Sequence, residues 1–106
     1  MKRYDILWAD LDPVCGSEIA KTRPVVVVSL DVLNVALETV TVCPLTSQLR
    51  PQWRSRVQIT CAGRRAEIAV DQIRTVSKQR LGKKLDALSE DEAATLRRAI
   101  TEMYGE

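Results

Sequence analysis

An arginine, a proline and four valines in a row, Arg23-Pro24-Val25-Val26-Val27-Val28, restrict the fold more than any other segment. Consecutive β-branched side chains crowd a helix and suit a pleated strand. No polar residue alternates among them, so the strand they form is buried on both faces and lies inside a sheet. Proline directly after Arg23 biases that residue towards an extended backbone and marks the start of the strand. The chain of 106 residues reads as one domain, residues 1–106. A domain of that size buries only about two-thirds of its extended-chain surface, so a functional surface shared with a second chain is a natural expectation.

The other elements follow from local patterns. Residues 4–9 are apolar strand formers, with Tyr4 and Trp8 assigned to the core, and they run into the turn-prone Asp10-Leu11-Asp12-Pro13. Residues 14–22 contain Gly and Ser without periodicity and read as loop. Residues 31–37 suit a short helical turn capped by Asp31. Residues 38–45 alternate Val40 and Val42 with Thr39, Thr41 and Cys43, a half-buried strand whose Pro44 suits an edge or a bulge. Residues 48–53 read as loop. Val57, Ile59 and Cys61 alternate with Arg56, Gln58 and Thr60, which places basic groups on an outer face. Ala62-Gly63-Arg64-Arg65 is a turn, so residues 67–70 return as the second arm of a hairpin, and residues 73–76 form a further strand. Ser89 followed by Glu92 is a capping box, with Leu88 and Ala93 as its hydrophobic staple. Ala93, Leu96, Ile100 and Met103 then share one helical face, and Gly105 stands where the helix stops. Six or so short strands and one terminal amphipathic helix predict a mainly β fold, a small and strongly bent barrel covered on one side by the helix.

Composition removes several kinds of chemistry. The chain has no histidine, which excludes a Ser-His-Asp or Cys-His nucleophile pair and any imidazole base. Cys15, Cys43 and Cys61 are scattered and no CxxC occurs, so no metal or cofactor site is expected. Three cysteines cannot all pair within one chain, which points to free thiols in a reducing compartment. No basic-then-apolar leader and no apolar run near the ~20 residues of a membrane span is present. The expectation is a cytoplasmic protein without a membrane partner. Charge is segregated: residues 1–53 carry a net −1, residues 54–84 a net +7 and residues 85–106 a net −4. The basic stretch predicts either a surface for a polyanion or a solvated face with its counter-charges nearby.

Three segments could hold chemistry. An arginine at the entrance to a buried strand has its backbone fixed by the sheet, so the Arg23 guanidinium can grip a phosphate with two parallel hydrogen bonds. The alternative is an ion pair with Glu18 at the barrel rim. Thr46, Ser47 and Gln48 offer two hydroxyls and an amide to a phosphate or base edge, or else bond to local backbone in a turn. Gln72 and Arg80 belong to a run of interleaved amide and basic groups of the kind that lines a single-strand groove. Trp53, between Gln52 and Arg54 in a loop, is the aromatic placed to meet a base.

Taken in order, these segments resemble the MazF/PemK (Kid) family of endoribonuclease toxins from type II toxin–antitoxin modules. The resemblance runs through Asp5-Ile6-Leu7-Trp8-Ala9-Asp10-Leu11-Asp12-Pro13, Gly16-Ser17-Glu18 and Arg23-Pro24-Val25-Val26-Val27-Val28-Ser29. It continues through Val42-Cys43-Pro44-Leu45-Thr46-Ser47, Val70-Asp71-Gln72-Ile73-Arg74-Thr75-Val76 and Arg80-Leu81-Gly82. It implies an SH3-like barrel with a C-terminal helix, acting as a homodimer, and metal-independent, sequence-selective cleavage of single-stranded RNA, usually mRNA. It also implies a cognate MazE-like antitoxin, with operator DNA bound only through that antitoxin. By position Arg23 resembles the principal catalytic residue, Thr46 its partner and Glu18 an alternative proton acceptor. Gly16 and Ser17 fall in the loop that closes on substrate, and Ser47 and Gln72 in the groove. Leu11 stands where some members carry an aromatic, and Cys15 introduces a thiol into the loop. A non-catalytic binder on the same fold, a gyrase poison or an operon regulator, is the alternative. With about five phosphates held, affinity for RNA would fall roughly a hundredfold between 50 and 200 mM salt.

Overall fold

Val25, Val26 and Val27 have no solvent exposure, and Val28 has little. The structure is a computed structural model and describes residues 1–11 and 21–105. Its elements are β1 (Asp5–Asp10), β2 (Thr22–Val27), α1 (Asp31–Ala36), β3 (Thr39–Thr46), β4 (Arg56–Cys61), β5 (Arg64–Ala69), β6 (Arg74–Ser77), β7 (Leu81–Ala87) and α2 (Glu90–Tyr104), with 3-10 turns at Val70–Gln72 and Lys78–Arg80. The valines are buried twice over because each face of β2 meets its own core. Val25 and Val27 join Leu7, Leu11, Val40 and Val42. Val26 and Val28 join Ile6, Leu45, Ile59, Ile68 and Leu96.

The strands pair antiparallel in the order β4-β5-β3-β2-β1-β7, with β6 also alongside β3. The two ends of that order meet: the Ala62 N–H after β4 donates to Asp86 Oδ2 of β7 at 2.8 Å. The sheet is therefore curled on itself, and α2 covers it with Ala93, Leu96 and Ala99. The capping box of α2 is formed as expected. Glu92 N–H donates to Ser89 Oγ at 3.1 Å, and Ser89 N–H donates to Glu92 Oε1 at 2.9 Å.

Four expectations are corrected. Pro44 is at neither an edge nor a bulge. It pairs with Val25 in mid-sheet, where the far side of β3 changes partner, between Val42 on β6 and Leu45 on β5. A residue without an N–H is tolerated at such a gap in the ladder. Asp31 begins α1 but does not cap it; the N-cap is Leu30, and Asp31 Oδ1 instead accepts the Arg3 N–H at 2.7 Å. Met103 is exposed, and Ala99, one turn earlier, takes the buried position. Residues 81–87 form β7, which the sequence hid. Paired to β1, its middle residues Gly82, Lys83 and Lys84 are exposed, so they carry no apolar alternation.

Helix α1 is amphipathic in reverse. Asn34 is buried, its Oδ1 accepting from Ser29 Oγ at 2.5 Å and its Nδ2 donating to Ser29 O at 2.9 Å. Val32 and Val35, with Leu30, Leu33 and Leu37 on and beside the helix, face solvent, Val35 at 85 % exposure. Among the described residues no helix is long and apolar enough to cross a membrane.

Candidate active site

The β2–β3 ladder pairs Val27 with Val42, Val26 with Cys43 and Val25 with Pro44. Arg23 and Thr46 lie two residues beyond the Val25–Pro44 pair, each on its own strand. Both line one cavity of about 420 Å³, together with Ser47, Arg64, Arg65 and Trp8. Thr46 Oγ1 accepts the Gln48 N–H at 3.1 Å, a local turn bond that orients the hydroxyl and leaves its proton to donate. Arg64 and Arg65 arrive through the β4–β5 hairpin. Its two turn residues, Ala62 and Gly63, have φ of 50° and 80°, the left-handed pair of a tight two-residue turn.

A second cavity of about 330 Å³ adjoins the first at Thr46, which lines both. Its walls include Gln48, Arg50, Trp53, Arg56 and Gln72. Trp53 is 44 % exposed, and its ring carries two guanidinium contacts, Arg50 at 4.7 Å and Arg56 at 4.9 Å from the centroid. Beneath that cavity lies Glu67. Burial opposes its ionisation, but hydrogen bonds from Gln58, the Arg50 N–H and Arg56, with the Arg56 charge, outweigh burial and hold the carboxyl below its usual range.

Of the residues singled out in the sequence, Arg23, Thr46 and Ser47 share the first cavity, and Gln48, Trp53 and Gln72 share the second with Thr46. Arg80 lines neither: its Nη1 donates to the Asp10 carbonyl at 3.2 Å and ties the 78–80 turn to the end of β1. Glu18, Gly16, Ser17 and Cys15 lie outside the described residues. Trp8 is corrected from core to cavity wall, 39 % exposed, because it looks outward from β1 across from Pro24. The basic stretch does not form one surface. The Arg56 side chain is only 7 % exposed and pairs with Glu67 and Asp71, Arg54 pairs with Glu102, and Lys84 pairs with Asp5. What remains at the first cavity is Arg64 and Arg65, which have no carboxylate partner among the described residues. Sequence reasoning passed over both by treating them as turn. Glu67, the single acid between Ala66 and Val70, was the available signal for the buried network.

Neither described thiol is suited to attack. Burial, with Asp71 adding to it, pushes the Cys43 thiol up to about 12, and burial followed by Asp86 and Glu92 also raises Cys61 on the cavity wall. Among the described residues no three Cys, Asp or Glu side chains gather where a metal ion could sit. The site's resources are guanidinium charge, hydroxyl donors and a stacking ring.

A curled antiparallel sheet with an arginine-walled double cleft at the ends of its central strands defines a small barrel protein. Residues 2–104 match the family described as PemK-like, MazF-like toxins of type II toxin–antitoxin systems, and the chain belongs to that family. It is 36% identical over 96 residues, 86% of this chain and 83% of the relative, to endoribonuclease EndoA of Bacillus subtilis (strain 168). It is 35% identical over 105 residues, 94% of this chain and 88% of the relative, to endoribonuclease MazF of Staphylococcus saprophyticus. The crystal structure of MazF from Deinococcus radiodurans superposes with a TM-score of 0.87 at 21% identity, covering 100% of this chain and 97% of that one. The same organism's MazE–MazF complex superposes with a TM-score of 0.80 at 18% identity, covering 99% and 95%. At those identities the likeness to the two crystal structures is one of fold.

Proposed function

We propose that this chain is an endoribonuclease toxin that cuts single-stranded RNA in the cavity shared by Arg23 and Thr46, and so stops translation in the cytoplasm. The observation that carries this reading is the convergence of Arg23, Thr46 and Ser47 on one cavity in a member of the PemK/MazF family. Relatives named as endoribonucleases support it.

The reaction suited to these groups is internal transesterification. The ribose 2′-oxygen gives up its proton and bonds to the adjacent phosphorus, the bond from phosphorus to O5′ breaks, and O5′ takes up a proton. The products are a 2′,3′-cyclic phosphate and a 5′-hydroxyl. Negative charge builds on the non-bridging oxygens on the way, and Arg23 stabilises it. Thr46, its hydroxyl oriented by the Gln48 N–H, donates to one of those oxygens. A guanidinium stays protonated at neutral pH and has no lone pair to act as a base, so the 2′ proton goes elsewhere, with Glu18 the nearest acid in sequence. The strand leaves through the second cavity, where Trp53 stacks on a base and Gln48 and Gln72 meet base edges.

The partners follow from two surfaces. The outward valines of α1 make a patch that water disfavours, and a second copy of the chain covers it in a homodimer. The arginine-walled cavities attract an acidic, partly disordered MazE-like antitoxin that neutralises the toxin and carries it to operator DNA.

The test is incubation of purified protein with mixed single-stranded RNA in excess chelator, followed by analysis of the product ends. Site-selective cuts with cyclic phosphates are expected, and folded Arg23→Ala and Thr46→Ala variants should each lose about 10²–10³ in kcat. Cleavage that the chelator stops, or intact RNA alongside inhibited gyrase, would overturn the reading in favour of other chemistry or a non-catalytic binder.

A further inference from the structure

Among the described residues Glu67 is the carboxylate with no solvent exposure at all. It lies on β5 directly across from Thr46 on β3. Its Oε2 accepts the Arg50 backbone N–H at 2.5 Å and Gln58 Nε2 at 2.6 Å, and its Oε1 accepts Arg56 Nη1 at 3.1 Å. Arg56 is held on its other side by Asp71 Oδ1 at 2.9 Å. The donors come from three places: the loop after β3, the middle of β4 and the start of β4.

A buried ion pair is a poor way to stabilise a fold, since well-packed apolar residues of similar volume often do as well or better. Glu67 is surrounded in sequence by Ala66, Ile68, Ala69 and Val70, so an apolar residue would continue the strand without interruption. What the carboxylate achieves is geometric. It fastens Arg50, whose carbonyl accepts the Trp53 N–H at 3.0 Å and so starts the turn that presents Trp53. It also fastens Arg56, and with Arg50 these are the two guanidiniums packed on the Trp53 ring. Loop 47–55 thus has its backbone and its aromatic tied to one buried anion, the direct ladder partner of Thr46.

We propose that Glu67 is a positioning residue that holds loop 47–55, with Gln48 and Trp53, in the form that receives RNA, setting affinity and choice of cutting site while leaving the chemistry at Arg23 alone. This rests on the endoribonuclease reading above. Loss of a contact that binds ground and transition states alike raises KM without lowering kcat. Glu67→Gln keeps the shape but forces an N–H against one of the three donors.

The experiment is steady-state cleavage of a mapped single-stranded RNA, with the cut pattern read on a mixed pool. For folded Glu67→Gln, KM should rise about tenfold with kcat within about threefold, and secondary cut sites should appear. An unchanged KM and cut pattern overturns the inference, and so does a fall confined to kcat. If Glu67→Gln does not fold, the exposed Gln58→Ala removes a single donor and must shift KM and cut pattern in the same direction; no shift overturns the proposal. Should the wild type cut no RNA, the function proposed above fails by itself. Amide exchange across residues 48–53 then decides on Glu67, with lost protection in the variant supporting the positioning role and unchanged protection overturning it.

Discussion

Glu67 makes stability depend on pH. Its carboxyl is held below the usual range in the fold and returns to about 4.3 when the chain unfolds. Its contribution is therefore present above the unfolded value and is lost as pH falls through the folded one. Urea midpoints of the wild type should drop steeply below about pH 4, and the Glu67→Gln variant should show a shallower acid limb between the same limits. At this scale the sequence was legible where neighbours constrained a side chain. Arg23 could be placed at a strand entrance because a proline and four valines fix its backbone, whereas the local pattern at Thr46 also suited a plain turn and only the family resemblance paired it with Arg23. Glu67 and Arg56 were not legible, since each meets its partners across a ladder whose register no local pattern discloses. Trp8 was misplaced for a related reason: Ile6, Leu7, Trp8 and Ala9 are all apolar, and nothing in such a run says which of them faces out.

Among the elements, α2 is the one whose boundaries the sequence marks at both ends, with the capping box at Ser89 and a stop at Gly105. Ser89→Ala should lower unfolding free energy by about 1 kcal/mol, read as a shift in urea midpoint with an unchanged slope. The β4–β5 hairpin was legible as a turn, but only structure shows that it is confined to Ala62 and Gly63, and that this shortness puts Arg64 and Arg65 on a cavity wall. Strand β7 escaped notice because exposed lysines leave no periodicity to find. Helix α1 was foreseen as a short helical turn, yet its inversion, Asn34 inward and valines outward, contradicts the rule by which faces are assigned. Violations of that kind are expected at surfaces with a job to do.

For the whole molecule, the bent barrel was legible from short strands and one terminal helix, while the surface charge was not. Of the nine basic groups in residues 54–84, Arg54, Arg56 and Lys84 pair with carboxylates, while Arg64 and Arg65 line the first cavity beside Arg23, which places about three guanidiniums where RNA phosphates would pass. Affinity for single-stranded RNA should accordingly fall roughly twentyfold between 50 and 200 mM salt; a hundredfold fall would mean that further cations outside the cavity take part. The α1 patch makes its own demand. Val35→Glu should convert a dimer to monomers in sedimentation without unfolding it, and a wild type that is already monomeric at tens of micromolar would assign that surface to another partner.

Because Thr46 is a wall common to both cavities, the proposed mechanism makes it bind speed and preference together. On that mechanism, a lineage under pressure to attack different transcripts cannot alter that threonine without also slowing the cut. On the proposed reading, divergence in target choice is therefore channelled into Gln48, Trp53 and Gln72, which line the second cavity and not the first.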